Sequence, residues 1–87
     1  MFSVTYSDKA AKALEKMDWH TTAIIYKWID KNLEGCDNPR LHGQALDYGL
    51  KGYWRYRVGQ YRLIADIQDH LLIIEIIRAG HRREIYD

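Results

Sequence analysis

Gly52-Tyr53-Trp54-Arg55-Tyr56-Arg57-Val58-Gly59-Gln60-Tyr61-Arg62-Leu63-Ile64-Ala65-Asp66-Ile67 reads as two short strands of aromatic and β-branched residues joined at Gly59-Gln60. Glycine at the first position of a two-residue loop suits a type II′ hairpin turn. That turn pairs Val58 with Tyr61, Arg57 with Arg62, Tyr56 with Leu63 and Arg55 with Ile64. Side chains alternate across a strand. One face therefore carries Trp54, Tyr56, Val58, Tyr61, Leu63, Ala65 and Ile67, and is a core face. The other carries Tyr53, Arg55, Arg57, Arg62, Ile64 and Asp66. It sets two arginines opposite each other beside a third, and like charges opposite each other destabilise a sheet. A bound anion offsets that cost. The plainer alternative is a solvated basic face whose long side chains splay into water.

The rest of the chain sets limits on what that face can serve. With 87 residues the protein is expected to be one domain, 1–87. Hydrophobic residues make up 47% and aromatics 13%, enough for a packed core rather than a disordered chain. No apolar run approaches the ~20 residues of a membrane span. Met1-Phe2-Ser3-Val4 lacks a basic region followed by an apolar one, so no secretory signal is expected. One cysteine, Cys36, leaves no internal disulfide and no cysteine-rich zinc site. The expectation is a cytoplasmic protein with no membrane partner. Net charge is only +1, but it is unevenly spread. Lys51, Arg55, Arg57 and Arg62 fall within twelve residues that hold no acid, and Arg78, His81, Arg82 and Arg83 follow near the end. Concentrated basic charge is the footprint of a phosphate-binding surface.

Taken in order, Phe2, Val4 and Tyr6 alternate with Ser3 and Thr5 as a first strand. Ser7 is a candidate helix N-cap, with Asp8 at the positive helix end. Ala10, Ala13, Leu14 and Met17 follow at helical spacing. The chain breaks around Asp18-Trp19-His20, where Asp18 or Thr21 caps a second helix. Its core side is Ile25, Trp28, Ile29 and Leu33 with Ile24 alongside, and Gly35 sits where a C-cap glycine belongs. From Cys36 to Leu50 no period persists, and the segment reads as a long connection carrying His42 and Asp47, both read as surface loop residues. After the hairpin, a loop of Asp69-His70 leads into an apolar strand from Leu71 to Arg78. That loop pairs Ile67 with Leu72, Ala65 with Ile74 and Leu63 with Ile76, all on the core face. Ile73, Glu75 and Ile77 then join the arginine face, and a sharp turn at Gly80 swings His81 and Arg82 back beside Arg62. The fold class is α+β, in the order β-α-α-β-β-β. A helical hairpin packs on an antiparallel sheet that ends in a three-stranded meander.

No glycine-rich phosphate loop, no Ser-His-Asp or Cys-His set and no metal-ligand spacing of histidines is present, so neither a metal nor another cofactor is expected. What remains is arginine, histidine and tyrosine around an open sheet. Such a set can bind a phosphodiester and stabilise the charge of its transition state. In RNA the nucleophile, the ribose 2′-hydroxyl, is already in the substrate. The protein need only align it, neutralise charge and move protons. Tyr53 or Tyr86 could stack on bases, whereas the parity of Trp54 places it in the core.

Lys51-Gly52-Tyr53-Trp54-Arg55-Tyr56-Arg57-Val58-Gly59-Gln60-Tyr61-Arg62-Leu63, followed by Gly80-His81-Arg82-Arg83-Glu84-Ile85-Tyr86, resembles the RelE/ParE family of bacterial toxins. The lead-in Asn38-Pro39-Arg40 and Gly43-Gln44-Ala45-Leu46 fits it too, and the resemblance runs over the whole chain. It implies a RelE-like fold and the toxin of a type II toxin–antitoxin pair. The RelE-like branch, favoured here, cleaves mRNA on the ribosome, leaving a 2′,3′-cyclic phosphate and a 5′-hydroxyl without a metal. ParE-like members instead poison DNA gyrase. The implied partners are a cognate antitoxin, mRNA and the ribosome, with operator DNA bound only by the toxin–antitoxin complex. Carried over by position, Arg57, Arg62, His81, Arg82 and Tyr86 are the expected catalytic residues. Lys51, Tyr53, Arg55 and Arg83 are the expected substrate-binding residues. The best-known RelE members have lysine where Arg55 and Arg57 stand. Arginine stays charged, with a pKa above ~12, and is a poor base. That raises the standing of His81 as the group that moves the proton. Asp66 and Glu75 reach the same face and read as balance for its arginines.

Overall fold

The computed structural model describes residues 1–85, with Tyr48 described by its backbone alone. Strand β1 (Ser3–Tyr6) leads into helix α1 (Asp8–Glu15) and helix α2 (Trp19–Asn32). Strands β2 (Gly43–Ala45), β3 (Trp54–Val58), β4 (Tyr61–Gln68) and β5 (Ile73–His81) follow. They form one five-stranded sheet in the order β1-β5-β4-β3-β2, with the helices on one face. No helix among the described residues is long and apolar enough to cross a membrane.

The helix starts follow their caps. The Ser7 hydroxyl accepts from the Ala10 amide at 3.1 Å, and Asp18 accepts from the amide and the hydroxyl of Thr21. Each satisfies amides that the first turn leaves without a partner. Helix α2 ends at Asn32, with Leu33 as its cap. Gly35 beyond it takes a φ of +77° and donates to the Phe2 carbonyl, which ties the helical hairpin to the start of β1. Ala10, Leu14, Ile25, Ile29 and Leu33 close onto Tyr56, Val58, Leu63, Ala65, Ile74 and Ile76 of the sheet. Each fully buried Leu or Ile stabilises the fold by roughly 2 kcal/mol relative to exposure. Ile24, expected alongside that core, is instead half-exposed, one position off the buried stripe of Ile25 and Ile29.

The hairpin register is the expected one, from Arg55 opposite Ile64 to Val58 opposite Tyr61. Gly59 has a φ of +59° while Gln60 does not enter the left-handed region, which is the II′ combination. Three expectations are corrected. The sheet is mixed rather than antiparallel, because β1 runs parallel to β5. Alternation fixes which face a residue takes but not which strand lies beside it, nor in which direction. The segment 36–50 is not without structure: it contains β2, which pairs antiparallel with β3. A Cβ on Gly43 would collide with the Trp54 indole and the Arg55 carbonyl, so glycine permits this approach.

The third correction concerns β4 and β5. The turn is not Asp69-His70 but a single 3-10 turn, Asp69–Leu71, closed by Leu72 in the left-handed conformation. The register is therefore Ile67 to Ile74 and Ala65 to Ile76, two residues from the expected one but with the faces unchanged. Leu71 and Leu72, expected in the strand, are exposed. Beyond Ala65 the register shifts again: Ile64 pairs with Arg78, which leaves Ile77 as an extra residue in β5. Such a bulge reverses the alternation of everything after it.

Candidate functional site

The β3–β4 hairpin puts Tyr56, Val58 and Leu63 into the helix-side core, so the alternate positions Arg55, Arg57 and Arg62 lie on the far face. Arg57 stands opposite Arg62, and Arg62 opposite Gly80. Arg55 stands opposite Ile64, and Ile64 opposite Arg78. The bulge at Ile77 therefore brings Arg78 onto the arginine face opposite Ile64, where an unbroken β5 would have placed Ile77. After His81 the chain turns, and the Arg82 amide donates to the Gln60 carbonyl at 2.8 Å.

The arginines sense one another. Burial first, and then the charges of Arg57 and Arg62, holds the Arg55 guanidinium below its ordinary pKa. Burial, then Arg57 and Arg82, does the same for Arg62. Arg55 is only 8% exposed and donates to the Gln44 side chain on β2, so it forms the floor of the site. Arg57 and Arg82 are exposed, and Arg62 is half-buried. The Arg62 guanidinium donates to the Tyr61 carbonyl at 3.1 Å and the Gly59 carbonyl at 3.3 Å, which holds it against the hairpin turn.

A groove of about 290 Å³ opens beside these arginines, lined by Leu41, His42, Gly43, Gln44, Arg55 and Arg57. The lead-in to β2 is pinned beneath it. Arg40 makes a two-pronged ion pair with Asp69, at 3.0 and 2.9 Å, and lies 5.9 Å from the centre of the Trp54 ring. The buried Tyr56 hydroxyl donates to the Pro39 carbonyl. The far face also holds a small second core of Leu46, Ile64 and Ile85, with Tyr53 half-buried against it. Lys51 and Arg83 are exposed, toward opposite ends of β3. Asp66 and Glu75 are register partners of each other, and Asp66 accepts from the Gln68 amide group at 3.1 Å.

His81 is placed differently from the expectation. It pairs with Tyr61, a helix-side residue, and its ring meets the Tyr61 ring edge-on at 5.6 Å. Its Nδ1 accepts from the Arg83 amide at 3.2 Å. The chain does not turn at Gly80, which stays in β5, and the reversed alternation beyond Ile77 carries the imidazole away from the arginine face. Tyr86 lies outside the described residues. Gln44, His42 and Arg78 were absent from the expected site. The register of β2 places the first two, and the bulge places the third; neither has a signature in hydrophobic periodicity.

Residues 4–86 match the model of a family described as the ParE toxin of type II toxin–antitoxin system, parDE. The chain belongs to the RelE/ParE family of type II toxins. This RelE/ParE toxin is 34% identical over 82 residues to Toxin RelE3 of Methanocaldococcus jannaschii, across 88% of this chain and 91% of the relative. It is 27% identical to a chain of the RelBE2 toxin–antitoxin complex of Mycobacterium tuberculosis, with a TM-score of 0.84 over 93% of this chain and 91% of that one. The isolated RelE toxin of Escherichia coli shares the fold at 14% identity, with a TM-score of 0.72 over 93% and 84% of the two chains.

Proposed function

We propose that this toxin is an endoribonuclease that cuts mRNA, most effectively on the ribosome, by attack of the substrate's own 2′-hydroxyl. The products are a 2′,3′-cyclic phosphate and a 5′-hydroxyl. The observation that carries the reading is the far face of the sheet, where Arg57 and Arg62 stand opposite each other within the field of Arg55 and Arg82. A protein that holds like charges together in this way has a use for them, and a pentavalent phosphorane-like transition state is the anion they suit. Charge-assisted bonds to its oxygens strengthen as negative charge develops. Arg57, Arg62 and Arg82 act on that phosphate, while Arg55, fixed on Gln44, deepens the field from below. Lys51 and Arg83 extend the basic surface along the RNA backbone. The kinship with RelE toxins supports the reading.

A cognate antitoxin would keep the site idle until needed. The likeness to a chain of a toxin–antitoxin complex supports that partner.

One observation favours a second reading: the matching family model is described as ParE. In that reading the toxin poisons DNA gyrase and cuts nothing. Purified protein, added separately to translating ribosomes and to a gyrase supercoiling reaction, tests the two. The first reading predicts mRNA fragments whose 5′-hydroxyl ends accept phosphate directly from polynucleotide kinase, and intact supercoiling. Intact mRNA with inhibited supercoiling would transfer the assignment to the second.

A further inference from the structure

We propose that His42 accepts the proton of the attacking 2′-hydroxyl, an inference that rests on the endonuclease reading above. The chemistry needs a group that can take up a proton near neutral pH, and the arginines cannot do so. Asp66 is held by Gln68, and His81, whose ring meets Tyr61 and whose Nδ1 is engaged by the Arg83 amide, does not line the groove beside Arg55 and Arg57. His42 is in a different position. Gly43 pairs with Tyr56 and Gln44 with Arg55, so the residue before Gly43 arrives at the level of Arg57. The imidazole is exposed and lines the same groove as Arg55 and Arg57.

Its placement is supported from below. The ring meets the Trp28 indole edge-on, with centroids 6.3 Å apart and planes at 79°. Two residues earlier, Arg40 is clamped to Asp69, and the Pro39 carbonyl is held by the Tyr56 hydroxyl. The charged groups on the elements around it are Arg55 and Arg57 on β3, Lys27, Asp30 and Lys31 on α2, and on its own segment Asp37 and Arg40, the latter paired with Asp69. The charged residues that line the groove itself are Arg55 and Arg57, so the groove attracts phosphate and sets an imidazole beside it. In the step, the 2′-oxygen bonds to phosphorus and the bond from phosphorus to the 5′-oxygen breaks. The 2′-hydroxyl proton passes to an unprotonated ring nitrogen of His42, and the departing 5′-oxygen takes a proton from water. No electron changes hands. His42 then returns its proton to solvent.

The test pairs kinetics with binding. The parent toxin should cleave with an acid limb in the imidazole range, ~6.5 for a free side chain. His42→Gln should lower the rate by ~100-fold or more and lose that limb, while His81→Gln keeps it. Independently, an RNA carrying 2′-O-methyl groups binds without being cut. In spectra of the parent protein it should shift the ring resonances of His42 but not those of His20 or His70. If the RNA shifted amides around Arg57 and Arg62 and left His42 unmoved, this inference would be overturned and the nuclease reading kept. If the limb followed His81→Gln instead, the proton would belong to His81. If the RNA shifted no resonance, both would fall together.

Discussion

Tyr61 and His81 stand opposite each other at the start of β4 and the end of β5, ring against ring at 5.6 Å. One residue away, Arg62 stands opposite Gly80 on the other face of the sheet. This alternation separates the charge of the site from the histidine of the C-terminal turn. It also divides the toxin's last strand into a half that packs and a half that serves the arginine face.

Removing the charge should remove the toxicity. Arg62→Ala or Arg82→Ala is expected to abolish growth arrest while leaving the fold intact, since neither side chain belongs to the buried core. Loss of one donor to a developing anion costs on the order of 3 kcal/mol, or ~100-fold in rate. Growth after induction, read beside the melting temperature of each purified variant, checks this. Full arrest by a well-expressed Arg62→Ala protein would contradict it.

The same arrangement should carry a cost in stability. Arg57 is exposed and faces Arg62, and opposed like charges destabilise a sheet by about 0.2–1 kcal/mol. Arg57→Thr is therefore expected to be more stable than the parent by an amount in that range at low salt, and less toxic. The gain should shrink as salt is added. A denaturant titration at two ionic strengths reads both effects, and a loss of stability at low salt would count against the account.

Hydrogen bonds from Arg40 hold the Asp69 carboxyl below the usual carboxylate range. A depressed folded-state value means the pair stabilises fully above the unfolded value of ~3.9, and the contribution is lost as pH falls through the folded one. Asp69→Asn should accordingly melt below the parent at pH 7, with the gap closing as the solution is acidified past pH ~4. A gap that widened with acid would show that the pair does not anchor the segment leading to His42.

A cognate antitoxin is expected to cover the arginine face with acidic and apolar residues from its C-terminal part, opposite Arg57, Arg62 and Arg82. Calorimetry with the product of the adjacent gene, for the parent and for Arg62→Ala, measures this. The variant should bind more weakly and with a smaller salt dependence. Failure of that product to bind the parent would remove the chain from a type II pair.

Much of this was legible in the sequence because hairpin physics is local. Gly59 demands a turn with positive φ, that turn sets the register, and the register puts Arg57 across from Arg62. The caps at Ser7 and Asp18 were legible for the same reason. The bulge at Ile77 was not. Nothing in the apolar run Ile73-Ile74-Glu75-Ile76-Ile77 marks which residue is extra, and the shift there decides whether His81 or Gly80 joins the arginines. β2 was hidden because three residues with one glycine carry no period; their strand character comes from pairing with β3. The direction of β1 likewise depends on how the helical hairpin returns the chain, a property of packing rather than of alternation.

The central claim is that the arginine face cuts RNA, and primer extension on cellular mRNA after brief induction of the toxin measures it most directly. The account predicts discrete new 5′ ends within translated regions, present for the parent and absent for Arg62→Ala. Growth arrest by the parent with no new ends in any translated message would contradict it.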